Sequence, residues 1–217
     1  MKLTTMTQIT VDGVMQGNGG ASDEERRNGF ERGGWAMGAG DSETVAFINR
    51  TYQGADAFMF GRRTYELFSG YWGAEERVRV AAEDPRSHPI TDALNTRPKY
   101  LVSNTLTEPR WANTTVLSGD VASSIAELNT KPGGDLQVHG SGVLIRWLLE
   151  NGLVDEITLL IVPVVVGQGM RLFPDAGPDL ALELVDSRAD TKGVTIQVYR
   201  PAGAPHYADA AANQDDG

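Results

Sequence analysis

A chain of 217 residues with 41% apolar and 22% charged side chains fits one globular domain with a sizeable core. It holds no cysteine, which excludes disulfides, thiolate nucleophiles and cysteine zinc sites, and nothing in the spacing of His88, His139 and His206 supports a metal site. Nineteen basic residues against 29 acidic give a net charge of −10 without a basic stripe, which argues against nucleic acid or anionic membrane as partner.

Any anion site must therefore be built locally, from a few arginines and backbone amides. No apolar run reaches the roughly 18 residues of a membrane span, and the start Met1-Lys2-Leu3-Thr4 lacks an export signal. The cytoplasm is the expected location.

In chain order, Lys2 to Val11 is β-branched and reads as a strand that stops at the turn pair Asp12-Gly13. Gln16 to Gly40 is glycine-rich and polar, a long loop with room for a short helix; loops of that length are usually functional. Ser42 to Tyr52 has helical spacing with Ser42 as its N-cap. Ala55 to Phe60 is a short apolar strand, and Gly61 to Phe68 turns into a helix. Gly70 to Pro89 reads as an irregular surface excursion.

Strands follow at Lys99 to Ser103 and Thr114 to Leu117, then an amphipathic helix at Val121 to Leu128. Leu136 to His139 is a strand, Gly140-Ser141-Gly142 a turn, and Val143 to Glu150 a helix closed by Asn151-Gly152. Ile157 to Val166 is nearly all apolar, as expected of a strand buried on both faces. Leu180 to Arg188 and Val194 to Arg200 form a terminal antiparallel pair, and residues 202–217 an acidic, disordered tail. Alternating strands and helices with a final hairpin predict an α/β domain over residues 1–201, with a mixed, mostly parallel sheet and helices on both faces. The Ile157 strand and the terminal hairpin leave room for a homodimer.

Two segments repeat one design of strand, glycine, helix. In Phe60-Gly61-Arg62-Arg63-Thr64 the first helical amides lack intrahelical partners and the helix dipole favours an anion. Gly61 lets a phosphate approach, and two guanidinium forks suit it. In Gly140-Ser141-Gly142-Val143-Leu144 two glycines allow close approach of a pyrophosphate, although the third glycine of the Rossmann fingerprint is missing. Each segment alone also reads as an ordinary helix start. Two of them in one acidic chain, with small polar groups at the strand end Ser103-Asn104, point to a dinucleotide. Asp12 either faces substrate or nicotinamide or is a turn aspartate. Trp35 offers a planar ring for stacking, while His139 reads as a structural histidine at a strand end.

These motifs, with Thr10-Val11-Asp12-Gly13, the run Tyr65-Glu66, Leu148 to Ile157 and Pro163 to Phe173, resemble the dihydrofolate-reductase-like family that includes the reductase domain of the riboflavin-biosynthesis deaminase-reductase. The resemblance covers about Lys2 to Pro201. It implies a three-layer fold and an NADPH site at Gly61, Arg62, Arg63, Thr64, Ser103, Asn104, Gly140, Ser141, Gly142, Val143 and Leu144. Asp12 is the expected catalytic residue, and Gly13, Trp35 and Glu66 the expected substrate contacts.

The chain departs from the riboflavin enzymes in carrying His139 where they have an acid. None of Asp23, Glu24, Glu25 and Glu31 aligns convincingly with the carboxylate that dihydrofolate reductase places under its pterin. The implied activity is hydride transfer from NADPH to a C=N, C=O or activated C=C bond of a small heterocycle, pterin- or pyrimidinone-like. The alternative is a nucleotide-binding sensor or carrier without catalysis.

Overall fold

The computed structural model describes residues 1–177 and 179–208. Its elements run β1 (Lys2–Thr10), α1 (Asp23–Arg27), α2 (Ser42–Gly54), β2 (Ala55–Gly61), α3 (Arg62–Trp72), α4 (Glu75–Glu83), α5 (Pro89–Thr96), β3 (Lys99–Val102), β4 (Thr114–Leu117), α6 (Val121–Thr130), β5 (Asp135–Val138), α7 (Gly142–Glu150), β6 (Glu156–Val162), β7 (Leu182–Ala189) and β8 (Thr195–Pro201). The strands form one sheet in the order β4-β3-β2-β5-β1-β6-β8-β7. Pairing is parallel from β4 to β6, and β8 and β7 are antiparallel.

Strand alternation splits the core into two layers. On one face Leu3, Ile9, Met59, Leu136 and Val138 pack against Ile125 of α6 and Leu144, Ile145 and Leu148 of α7. On the other, Met6, Phe58, Phe60 and Leu101 meet Tyr52 of α2, Tyr65 of α3 and Leu94 of α5. Helices on both faces of a mostly parallel sheet make the three-layer, dihydrofolate-reductase-like fold expected above.

Three local expectations change. The N-cap of α2 is Asp41, whose carboxylate accepts the Glu43 and Thr44 amides, and Ser42 is the first helical residue. Residues 70–89 are not irregular: they hold the end of α3, all of α4 and the start of α5. Acidic Glu75 and Glu76 begin α4, Arg79 pairs with Glu76 and Glu83 along it, and Pro89 begins α5. Strand β6 ends at Val162, because Pro163 has no N–H to continue a ladder.

Ala202 and Gly203 still pair with Ala181, extending the β7–β8 ladder by one step. Residues 204–208 follow as irregular backbone in which the Tyr207 hydroxyl donates to Asp179 at 2.9 Å, and the rest of the expected tail, residues 209–217, lies outside the described residues. Among the described residues no helix is long and apolar enough to cross a membrane, and no group of three or more acidic or imidazole side chains could hold a metal ion.

Candidate functional site

Neighbouring parallel strands end at one edge of the sheet. There β3, β2, β5 and β1 deliver Ser103, Gly61, Gly140 and Asp12 in that spatial order. Ligands of open α/β sheets bind outside the carboxyl ends of the strands, and this edge is the place to look.

The two glycine turns are in contact. The Gly61 amide donates to the Gly140 carbonyl at 3.3 Å. A Cβ on Gly61 would stand 2.6 Å from Ser141 Oγ, and one on Gly140 would stand 3.0 Å from Thr64 Oγ1. Gly140 also has φ 116°, a conformation that side chains oppose, and its peptide bond to Ser141 is cis. Helices α3 and α7 therefore begin side by side. No side chain caps α3, whose N-cap is Gly61, so the amides of its first turn remain available for an anion.

At α7 the Ser141 hydroxyl accepts the Leu144 amide at 3.4 Å. That withdraws Leu144 from the expected ligand set, and its side chain is buried in the core. Gly142 and Val143 keep their amides. The strand end Ser103 is similarly occupied, since its hydroxyl accepts the Thr105 and Leu106 amides; Asn104 beside it is exposed.

The two arginines diverge. Arg62 donates to Glu66 and to Thr105, each at 2.9 Å, which places it on the β3 side of the edge. Arg63 turns the other way, 3.4 Å from Glu25. Glu66, expected near substrate, thus points at Arg62 instead. It lines a cleft of about 1050 Å³ between α3, α4 and residues 105–112 that contains neither glycine turn. Glu66 and Thr105, which both bond Arg62, are among its lining residues.

Glu25 is a residue that the sequence reading left unassigned. It is buried in α1, where Ser22 and Glu25 form a reciprocal capping box, and it also accepts a bond from Gln16 at 3.0 Å. Burial, the largest single influence, raises its pKa. The Ser22 and Gln16 bonds and the Arg63 charge outweigh burial, and the net shift is downward. Glu25, Gln16, Asn28, Phe30, Arg63 and Gln168 line a polar cavity of about 230 Å³ where the first loop meets α3. The Ser22-x-x-Glu25 spacing was the signal in the sequence that could have found this helix start.

Asp12 is fully occupied. Its carboxylate accepts the Thr10 hydroxyl at 2.5 Å, the Val166 amide at 3.1 Å and the Gly167 amide at 2.7 Å. The Thr10 bond is the main cause of a pKa lowered to about 2, against a smaller opposing effect of burial, so the group is an ionised acceptor at neutral pH with no proton to give.

What Asp12 does is join two loops. The Leu172 amide bonds the Gly13 carbonyl, Arg171 donates to the Asp12 carbonyl, and Arg32 donates to that of Val166. Gln168 reaches the Gly29 carbonyl at 2.6 Å. Trp35, half-buried, spends its indole N–H on the Gln16 carbonyl at 2.8 Å and so ties the long loop to itself. His139, at the end of β5, stacks on Tyr52 with ring centroids 4.2 Å apart. Burial lowers its pKa to about 3, as befits the structural histidine expected.

Three comparisons agree with this architecture. The uncharacterised protein YyaP of Bacillus subtilis is 28% identical over 192 residues, 88% of this chain and 90% of the relative. A candidate riboflavin biosynthesis protein from a Shewanella species superposes with a TM-score of 0.62 at 22% identity, covering 93% of this chain and 99% of the other. Dihydrofolate reductase from Enterococcus faecalis, complexed with NADP(H), superposes with a TM-score of 0.55 at 14% identity over 93% and 96%. The model of the RibD C-terminal domain matches residues 1–196, and the chain therefore belongs to the RibD C-terminal domain family, a family of reductases.

Proposed function

We propose that this protein is an NADPH-dependent reductase acting on a small heterocycle, pterin- or pyrimidinone-like. The observation that carries the reading is the contact between the Gly61 and Gly140 turns, which brings two helix N-termini to one edge of an otherwise acidic chain. The close approach of the two turns requires glycine at both positions, since a Cβ on Gly61 would meet Ser141 Oγ at 2.6 Å and one on Gly140 would meet Thr64 Oγ1 at 3.0 Å, and paired helix N-termini with unpartnered amides suit a pyrophosphate. Bound there, NADPH would supply a hydride for a C=N, C=O or activated C=C bond.

This chain's own residues bind and orient. The amides of Arg62, Arg63, Thr64, Gly142 and Val143 take phosphate oxygens. Arg62, beside Asn104 and Thr105, takes the 2′-phosphate. Its present ion pair with Glu66 is half exposed on both sides and of a kind worth about 0.2–1 kcal/mol, so exchanging it for a phosphate costs little. Arg63 is tethered to a buried carboxylate and acts on the first loop. Asp12 positions the Gly167 loop, and the proton comes from water.

The test is titration with NADPH and NADH by tryptophan fluorescence, followed by loss of NADPH absorbance with a panel of pterins, pyrimidinones and quinones. Arg62→Ala should weaken NADPH about tenfold relative to NADH, a difference of about 1.4 kcal/mol. Equal weakening of both would move Arg62 to the pyrophosphate. NADPH binding without turnover of any substrate class would favour a sensor or carrier.

A further inference from the structure

We infer that Asn18 is a site of self-modification, at which the Gly19 amide nitrogen attacks the Asn18 side chain, expels ammonia and leaves an aspartyl or isoaspartyl residue in the first loop. Nothing in it depends on the reductase reading above.

The chain holds three Asn-Gly pairs, Asn18-Gly19, Asn28-Gly29 and Asn151-Gly152. Glycine after asparagine leaves the attacking nitrogen unshielded by a side chain, so each pair has the local chemistry for ring closure. All of these residues are exposed, and access to water does not separate the pairs. What separates them is where the glycine N–H points. Asn28 is the C-cap of α1, and Gly29 donates to the Arg26 carbonyl at 3.0 Å. Asn151 is the C-cap of α7; its side chain donates to the Trp147 carbonyl at 2.8 Å, and Gly152 donates to that of Leu149 at 3.0 Å. In both, the nucleophile is turned into the helix end and must break a backbone bond before it can reach its own asparagine.

Asn18-Gly19 has the opposite arrangement. Gly17 to Gly20 form a turn closed by the Gly20 amide on the Gly17 carbonyl at 3.0 Å, and within it the Gly19 amide donates to Asn18 Oδ1 at 2.8 Å. Oδ1 is bonded to Cγ, the atom under attack, so the nitrogen already rests against the acyl group it must join. The leaving nitrogen, Nδ2, donates to Gln8 Oε1 at 2.8 Å, which fixes the plane of the side-chain amide. A Cβ on Gly19 would meet nothing within 4 Å, so the space around the turn is open for a five-membered ring.

Ring closure forms the bond from Gly19 N to Asn18 Cγ, breaks the bond from Cγ to Nδ2, and passes the Gly19 amide proton through solvent to the departing ammonia. Water then opens the cyclic imide at either carbonyl, to aspartate or isoaspartate, and no other reactant is needed. Either product has lost the N–H that reaches Gln8. Isoaspartate also lengthens the main chain in the turn whose Gly17 and Asn18 carbonyls accept the Gly34 and Ala36 amides at 2.7 and 3.1 Å. The first loop is thereby unpinned from β1 and gains a negative charge.

Peptide mapping by mass spectrometry during storage at mildly alkaline pH tests this, on native protein and on protein kept unfolded in urea. Trypsin places the three asparagines in separate peptides, 3–26, 28–32 and 147–171. Native Asn18 should convert to acid at least about fivefold faster than Asn28 or Asn151, the change expected from one backbone bond held or free, and the three rates should converge to within about twofold in urea. Gly19→Ala, which fits the open space and the ordinary φ of Gly19, should slow Asn18 alone. Limited trypsin treatment should cut aged native protein at Arg26, Arg27 and Arg32 faster than fresh protein. Native Asn18 no faster than the other two overturns the inference, and so does an unchanged Asn18 rate in Gly19→Ala. An equal lead of Asn18 in urea overturns it as well, because the preference would then belong to the local sequence and not to the fold. Equal cleavage of aged and fresh protein overturns the release of the loop.

Discussion

Replacing Gly61 by alanine tests the contact on which the cofactor site depends. The backbone does not object: Gly61 has φ −76° and ψ 159°, conformations open to any residue. The perturbation is therefore steric. The new methyl would lie 2.6 Å from Ser141 Oγ and 3.4 Å from Ser141 Cβ, so the hydroxyl must retreat by about 0.8 Å to reach ordinary contact. Retreat breaks its bond to the Leu144 amide and uncaps α7, a loss of about 1 kcal/mol, and alanine is a poorer N-cap than glycine for α3.

We expect a stability loss of about 1–2 kcal/mol, readable by urea unfolding, and NADPH binding weakened by at least about tenfold, readable by fluorescence titration. Adding Ser141→Gly removes the clashing hydroxyl, and the double variant should bind NADPH more tightly than Gly61→Ala alone. A folded Gly61→Ala protein that binds NADPH within about twofold of wild type would refute the reasoning, because the turns would then not share one ligand.

Asp12→Asn should loosen the joined loops, and its lower melting temperature should show mainly above pH 4. The folded carboxyl has its pKa depressed to about 2, so it adds stability above the ordinary pKa of 3.8 and loses that contribution as pH falls toward 2. A stability difference that persists unchanged at pH 2 would remove Asp12 from that role. His139 is neutral when folded, with its pKa lowered from 6.5 to about 3. Wild-type stability should therefore fall as pH drops below 6.5, at a rate approaching 1.4 kcal/mol per pH unit, and His139→Phe should flatten that slope between pH 6 and 4. An identical slope in urea unfolding of both proteins would assign the acid sensitivity elsewhere. Asp41 caps α2 and also accepts the Thr191 amide and hydroxyl of the β7–β8 turn, so Asp41→Ala should lower stability by about 1–2 kcal/mol. Stability within about 0.5 kcal/mol of wild type would show that this junction does not hold the end of the long loop.

Much of this molecule was open to reading from the chain alone. The β-branched run at Lys2, the apolar runs at Ala55 and Ile157, and glycine turns followed by helices at Gly61 and Gly140 are local signals. Local signals survive without knowledge of the fold. The two phosphate turns could be named because a helix start and a glycine need only their immediate neighbours. The helices in residues 70–89 were missed for the opposite reason. There Glu75, Arg79 and Glu83 are charged on most sides of α4, which buries only Ala81 and gains its stability partly from packing on α5 rather than from a strong apolar stripe.

Which residues meet was decided only by tertiary structure. The contact between Gly61 and Gly140 depends on β2 lying beside β5, although 79 residues of chain separate the two turns, and no local pattern encodes that pairing. Partners across the fold also set the roles of charged groups. Glu25 holds Arg63, Glu66 holds Arg62, and the Val166 and Gly167 amides join the Thr10 hydroxyl on Asp12 and make it a clasp between loops. A carboxylate's chemistry follows its donors, and those donors arrive from distant parts of the chain.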